Sequence, residues 1–159
     1  MLKMSELEKK ILLQLVKDSD QPVKEIAKKV GASRQTVAKK IELLKMDGTV
    51  KSITSKLNTE KFGLSTKAYI FLREDPDGKI RRKNDVVIKR MHQVTEFYRL
   101  FGRYSAVLEV LVKSSKDLTK LVKRIHRLKG IRETETFIVH STVKDEPEAP
   151  FLHLLKSKE

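Results

Sequence analysis

The chain predicts an α+β protein in two parts, an N-terminal winged helix-turn-helix followed by a ferredoxin-like βαββαβ domain. Three observations carry that expectation. The segment PVKEIAKKVGASRQTVAKKIELLKMD, from Pro22 to Asp47, has the pattern of two short helices joined by a tight turn. Beyond residue 65 the apolar spacing changes from the helical period to alternation. The later segments then follow the order β-α-β-β-α-β.

Taken in order, Ser5 and Glu8 form an S-x-x-E capping box ahead of Ile11, Leu12, Leu15 and Val16, so a first helix starts near Glu6 and ends between Asp18 and Gln21. Pro22 suits the opening of the next helix because its missing N–H costs nothing there. Ala27 is small where two helices must cross closely, and Gly31 supplies the positive φ of the turn. Ser33 caps the second helix of the pair, and Val37, Ile41 and Leu44 form its buried stripe. Arg34, Gln35, Ala38, Lys39 and Glu42 are thereby left outside. Asp47-Gly48 turns the chain into VKSITSKL, read as a short polar strand forming a wing. These elements place a first domain at 1–57 and a connector, NTEKFGLS, at 58–65.

In the second half, Ala68, Ile70 and Leu72 share one strand face and Tyr69 and Phe71 the other. A charged stretch leads into a helix ending near Gln93 with Val87, Ile88 and Met91 inward. Strands at about 94–101 and 104–113 follow, joined by a Gly102-Arg103 hairpin. An amphipathic helix at 116–129 buries Leu118, Leu121, Val122, Ile125 and Leu128, and FIVHSTV closes the domain as its last strand. This domain spans 66–143, and 144–159 is a tail with a proline-punctuated acidic spacer. Two helices cover one face of such a sheet, while its strands carry apolar residues on both. A second copy is the economical cover for the other face, so this half is expected to dimerise the protein.

Composition narrows the function. The net charge is +14 with no cysteine. That excludes disulfides and thiolate metal sites and favours a polyanionic partner. No apolar run is long enough to span a bilayer and MLKMSELEKK lacks a signal-peptide core, so a cytoplasmic protein is expected, with no membrane role. Residues 1–65 carry 14 basic and 8 acidic side chains, residues 66–143 carry 18 and 9, and the tail 3 and 4. The second domain is therefore more basic than the first. No nucleophile–base pair, Gly-rich phosphate loop or metal-ligand spacing is present, and His92, His126, His140 and His153 are scattered, so no catalytic residue, metal or cofactor is expected.

The helix-turn-helix points to double-stranded DNA. Arg34 can contact guanine bidentately and Gln35 adenine. Lys39 and Lys40 are placed for phosphates, and Ser33 and Thr36 for phosphate or base. Lys24 and Lys28 on the preceding helix, with Lys51 and Lys56 on the wing, would track the backbone. A dimer presenting two such helices would read a pseudo-palindrome.

In their order and spacing, the segments ILLQLVKD, EIAKKVGASRQTVAKKIELLKMDGTV, LNTEKFG, FGRYSAVLEV and KGIRETETFIV resemble the Lrp/AsnC (feast–famine) transcription regulators across about residues 5–145. The resemblance implies a homodimer or higher even oligomer and an amino-acid or other small-molecule effector, held near Gly102, Arg103, Tyr104 and Ser105 of the hairpin and Thr134 and Thr136 of the last strand. One departure is that the family's hairpin reads Gly-x-x-Asp, whereas Ser105 stands here in place of the Asp. A carboxylate able to meet an α-ammonium is missing from that position, which leaves open a different ligand or none. Two alternatives remain at this level. One is an architectural protein that coats DNA with little sequence preference; the other is an enzyme of the sirohaem decarboxylase type, against which the absence of Trp counts.

Overall fold

The computed structural model describes residues 4–156, which divide into two compact units: residues 4–56 with 144–156, and residues 57–143. The first unit contains helices α1 (Glu6–Lys17), α2 (Val23–Val30) and α3 (Arg34–Met46). The Ser5 capping box forms as expected: Glu8 N–H donates to Ser5 Oγ at 3.3 Å and Ser5 N–H to Glu8 Oε2 at 2.8 Å. Ile11 and Leu12 of α1, Ile26, Ala27 and Val30 of α2, and Val37, Ile41 and Leu44 of α3 make one apolar core.

Two parts of this unit depart from the sequence expectation. Residues 51–58 form no strand; they are exposed and irregular after Val50 N–H bonds the Leu44 carbonyl at 2.8 Å. A strand is a pairing property, and no partner strand meets KSITSKL among the described residues, so its alternation alone does not order it. The tail is also more than a separate spacer. Its helix (Ala149–Lys156, the last of six) belongs to the first unit, where Leu155 packs on the three-helix core.

The second unit opens with one 3₁₀ turn, Thr59–Phe62, capped by the Asn58 side chain. It continues as β1 (Thr66–Glu74), α4 (Gly78–Lys89), β2 (Val94–Arg99), β3 (Ala106–Val112), α5 (Ser115–His126) and β4 (Ile131–Ile138); the tail helix above is α6. The sheet order is β2-β3-β1-β4, antiparallel throughout, which is the split βαβ topology expected. Ala68, Ile70 and Leu72 of β1 and Ala106, Leu108, Val110 and Val112 of β3 face a core closed by Ile88 and Met91 and by Leu118, Leu121 and Ile125 of α5.

Several elements of this unit differ locally from the sequence expectation. The last strand is 131–138 rather than FIVHSTV: its register on β1 runs from Ile131 opposite Glu74 to Ile138 opposite Ala68. IRETETFI is a polar edge strand recognised by its partner more than by its own hydropathy. The hairpin is a six-residue loop, 100–105, closed by Leu100 N–H on the Ser105 carbonyl at 3.0 Å, and not a two-residue turn. On α4 the inward stripe is Asn84 and Ile88, followed by Met91, while Val87 is exposed. Buried Asn84 donates its side-chain amide to the Lys129 carbonyl at 3.0 Å, which ties α4 to the end of α5.

The α5–β4 turn passes close to α4 at Gly130, whose φ is +78° and whose absent Cβ would lie 3.0 Å from Ile80 Cγ2. Gly130→Ala is expected to destabilise the protein by about 1–2 kcal/mol through the left-handed backbone alone, with crowding of Ile80 adding to it. Urea unfolding checks this: the midpoint falls with m unchanged.

Candidate nucleic-acid interface

The local structure of α3 follows from its first residues. Gly31, at φ +70°, closes α2. Ser33 is extended, and its Oγ accepts from Thr36 N–H at 3.1 Å. Burial of Val37, Ile41 and Leu44 sets the rotation of the helix, so Arg34, Gln35, Thr36 and Lys39 stand exposed along its outer side. Arg34 and Gln35 occupy the first helical turn, where backbone N–H groups without intrahelical partners also attract anions.

The ten residues expected to meet DNA fall into distinct sets. Arg34, Gln35, Lys39 and Lys51 are exposed and make no side-chain hydrogen bond or ion pair among the described residues. Lys24 is likewise exposed, on the outer side of α2. Ser33 and Thr36 have hydroxyls 2.8 Å apart and engage each other. Lys28 is paired with Glu25 at 2.9 Å. Lys56 is held by Asp145, at 2.6 Å to the carboxylate and 2.9 Å to the carbonyl. Lys40 is a structural cation: its Nζ reaches Glu8 Oε1 at 2.8 Å and fastens α3 to the start of α1.

Glu8 has a second role that its sequence context does not show. Its capping role is legible as S-x-x-E, but its second oxygen serves Lys40, 32 residues away. The hydrogen bond from Lys40, followed by those from the Ser5 backbone and hydroxyl, holds its carboxyl down to about 2.

The residues expected around an effector are divided by the sheet. Thr134 and Thr136 lie opposite Leu72 and Ile70, on the side facing the helices, and Thr134 Oγ1 is 3.4 Å from His126 Nδ1 of α5. Tyr104 lies on the open side, against the Phe71 ring at 5.2 Å and hydrogen-bonded to Glu135. Gly102 and Arg103 are at the exposed tip, with the Arg103 guanidinium 5.3 Å from the Tyr104 ring centroid. The six residues therefore do not form one cluster. Ser105 Oγ lies 3.0 Å from both the Leu72 carbonyl and Glu74 Oε2, two acceptors for one proton.

Glu74 brings a carboxylate to the place where the hairpin has none. Its side chain is 1% exposed, and Oε2 also bonds Arg99, which bridges to Asp85. Burial pulls the Arg99 pKa down, but the bonds to Glu74 and Asp85 outweigh it and the net shift is upward. No single-residue pattern marks Glu74 in the sequence; it reads only as the charged end of a strand.

The regions matched by known families follow this division, except that the second runs on from residue 143 to 149, into the tail. A winged helix-turn-helix DNA-binding model matches residues 4–51, and the model described as the Lrp/AsnC ligand binding domain matches residues 67–149. The chain belongs to the Lrp/AsnC family. An uncharacterised HTH-type transcriptional regulator of Pyrococcus furiosus is 30% identical over 145 residues, covering 91% of this chain and 97% of the relative. HTH-type transcriptional regulator FL11 of the same organism is 28% identical over 147 residues, with 92% and 96% covered. Among solved structures, an AsnC family transcriptional regulator from Agrobacterium tumefaciens superposes with a TM-score of 0.86 at 25% identity, covering 95% of this chain and 99% of that one. A Neisseria meningitidis transcriptional regulator, solved as a complex with L-Met, shares the fold at a TM-score of 0.89 and 18% identity, with 96% and 99% covered. This Lrp/AsnC protein is thus a transcription regulator with a helix-turn-helix and a family-type ligand domain. No group of three His, Cys, Asp or Glu able to hold a metal ion occurs among the described residues.

The low pKa of Glu8 fixes the sign of a pH effect. A carboxyl whose folded value lies near 2, against an ordinary 4.5, contributes stability that is present above 4.5 and lost as pH falls towards 2. In unfolding measured against pH, Glu8→Gln is expected to be less stable than the wild type at neutral pH, the gap closing through that window. A gap that stayed constant down to pH 2 would show that the Lys40 contact is not the source.

Proposed function

We propose that this protein is a homodimer that binds a pseudo-palindromic double-stranded operator, reading bases with the first turn of α3 and regulating transcription from the bound site. The observation that carries this reading is the pairing pattern on α3. Arg34, Gln35 and Lys39 are exposed and uncommitted, whereas Lys40 is spent on anchoring the helix. A rigidly docked helix with unpaired donors at its N-terminal turn suits the major groove, where Arg and Gln distinguish guanine and adenine. Lys24 and Lys51 supply phosphate contacts, while Lys28 and Lys56 would first exchange their carboxylate partners for phosphate.

The dimer rests on the open side of the sheet. Tyr69, Phe71, Val107 and Leu111 lie there half-buried, beside Tyr98 and Phe137, which are more than half exposed. Phe71 packs edge-on against Phe137 at 5.7 Å, so the surface is already ordered. An apolar patch of this kind on a four-stranded sheet fits a second copy of the same sheet. Effector control, by an amino acid or another small molecule, belongs to the same unit. The hairpin residues Gly102 to Ser105, with Thr134 and Thr136 of β4, are the groups that would meet such a ligand, while buried Glu74, already held by Arg99, would act only by positioning Ser105.

Arg34→Ala is expected to lose about 1–3 kcal/mol of discrimination at one base pair, and Lys39→Ala to weaken all sequences alike and reduce the salt slope by about 0.9. Competition binding against single-base operator variants separates the two effects. Retention of the full sequence preference by Arg34→Ala would remove Arg34 from base reading, whereas a wild type that protects all DNA uniformly would favour the architectural reading. For the dimer, Phe137→Lys places a charge on the patch. Sedimentation is expected to show monomers at concentrations where the wild type is dimeric.

A further inference from the structure

The helical side of the second unit carries a charge distribution that neither the helix-turn-helix nor the ligand domain explains. Residues 77–90 and 115–129, which make up α4, α5 and their ends, contain twelve Lys and Arg and three Asp. All three acids are committed, Asp77 as the cap that accepts from Lys79 N–H at 2.7 Å and Ile80 N–H at 3.1 Å. Asp85 bonds Arg99, and Asp117 accepts from Ser114 at 2.7 Å with Lys120 at 3.4 Å. Of the twelve cations, Arg81 is turned to the Asp75 and Glu74 carbonyls. The others are exposed, and apart from Lys120 they make no ion pair among the described residues.

Their spacing is that of a stripe. Lys79, Arg82 and Lys83 stand at i, i+3 and i+4 on α4. Lys116, Lys123, Arg124 and Arg127 follow one another at helical intervals on α5 and span roughly 16 Å of its axis. Both helices pack on the same side of the sheet, and the hydrogen bond from the Asn84 side-chain amide to the Lys129 carbonyl ties α4 to the segment after α5, so the stripes belong to one side of the unit.

A face that only solvates a helix interleaves both signs, because like charges on adjacent turns repel. The opposite side of this same sheet behaves in that way: Lys67 pairs with Glu109 at 2.9 Å and Arg73 with Glu133 at 3.2 Å. Charge is therefore segregated across the unit, with balanced pairs on the sheet side and uncompensated cations on the helical side. Packing two copies through their sheets leaves both basic faces outward.

We propose that the α4–α5 face is a second binding surface for duplex DNA, taking the phosphate backbone without reading bases. Charge complementarity selects this occupant. A duplex presents one negative charge about every 1.7 Å of its axis, so a 16 Å cationic stripe lies alongside roughly ten of them, and each one neutralised releases counterions. This deepens the operator-binding reading and rests on it. DNA brought by α3 meets this face at high effective concentration, which lengthens the occupied site beyond what two recognition helices cover.

The test uses the full chain with Arg82, Lys83, Lys123 and Arg124 all replaced by Glu, and the same four replaced by Gln as a second variant should the reversal impair folding. Affinity for a random-sequence duplex of about 40 bp and for a short operator duplex is measured against salt, where each lost phosphate contact flattens the slope by about 0.9. The expected result is a slope shallower by two or more on the long duplex, with the preference for operator over random sequence on the short one unchanged. A wild-type slope in both variants, alongside intact operator binding, overturns this surface and leaves the α3 reading standing. Loss of operator preference together with affinity also overturns it, by showing that the substitutions act through the recognition unit. Binding to anionic phospholipid vesicles that the variants lose, with the DNA slope unmoved, assigns the face to a membrane instead. A wild type that binds no duplex at any salt fails the operator reading itself.

Discussion

The architecture of the second unit turns on a covering problem. Four antiparallel strands expose two faces, and the two crossover helices can lie on only one of them. Ala68, Ile70, Leu72, Leu108 and Val110 are fully buried beneath α4 and α5. Tyr69, Phe71, Val107, Leu111 and Phe137 stand on the other face with no helix to cover them. Burying them is worth about 25 cal/mol for each Å² of apolar surface removed from water, and that gain comes from a partner or not at all. The proposed dimer would thus follow from strand composition and topology together. So would the outward placement of the helices, with their cations.

The first unit solves a different problem, that of holding a recognition helix still with very little core. Eight buried apolar residues from three helices are supplemented by Leu155 of the tail helix. Glu8 adds a polar fastening across this small core, one oxygen capping α1 and the other gripping Lys40 of α3. A helix pinned in this way loses little further conformational freedom on entering a groove, which leaves more of the contact energy for binding. The same arrangement separates two lysines that neighbour each other in sequence: Lys39 is free for a partner, and Lys40 is engaged.

The hairpin end of the second unit carries polar groups on both sides of the sheet. Glu74, Arg99, Asp85 and Ser105 form a polar network centred on buried Glu74 at the ends of β1 and β2, while Tyr104 and Glu135 meet on the other side of the sheet. Glu74 Oε1 is buried without a hydrogen-bond partner among the described residues, so this network of two carboxylates around one guanidinium is incompletely satisfied. On the open side burial pushes the Glu109 carboxyl up, but hydrogen bonds from Lys67, Tyr69 and Thr95 outweigh it and hold the group ionised at lower pH than usual. Each side of the sheet thus carries its own polar network, and the strands keep them apart.

Local chemistry written in consecutive residues was legible in the sequence: the Ser5–Glu8 box, the Gly31 turn, the Ser33 cap, the buried stripes of α3 and α5 and the order of strands and helices. These depend on neighbours within one or two turns, so periodicity and residue type determine them. Tertiary structure alone decided whatever depends on a distant partner. KSITSKL alternates but meets no strand, and IRETETFI barely looks like one until β1 sets its register. Thr134 and Thr136 share a strand with Glu135 but face the opposite side, because pleating alternates and the β1 register chooses which side each residue takes. Lys40 looks like Lys39 until Glu8 is folded against it, and Glu74 is an ordinary strand end until Arg99 and Ser105 close over it. The physical reason is the same throughout: backbone preference acts over a few residues, whereas pairing, burial and charge compensation are fixed by groups tens of residues away.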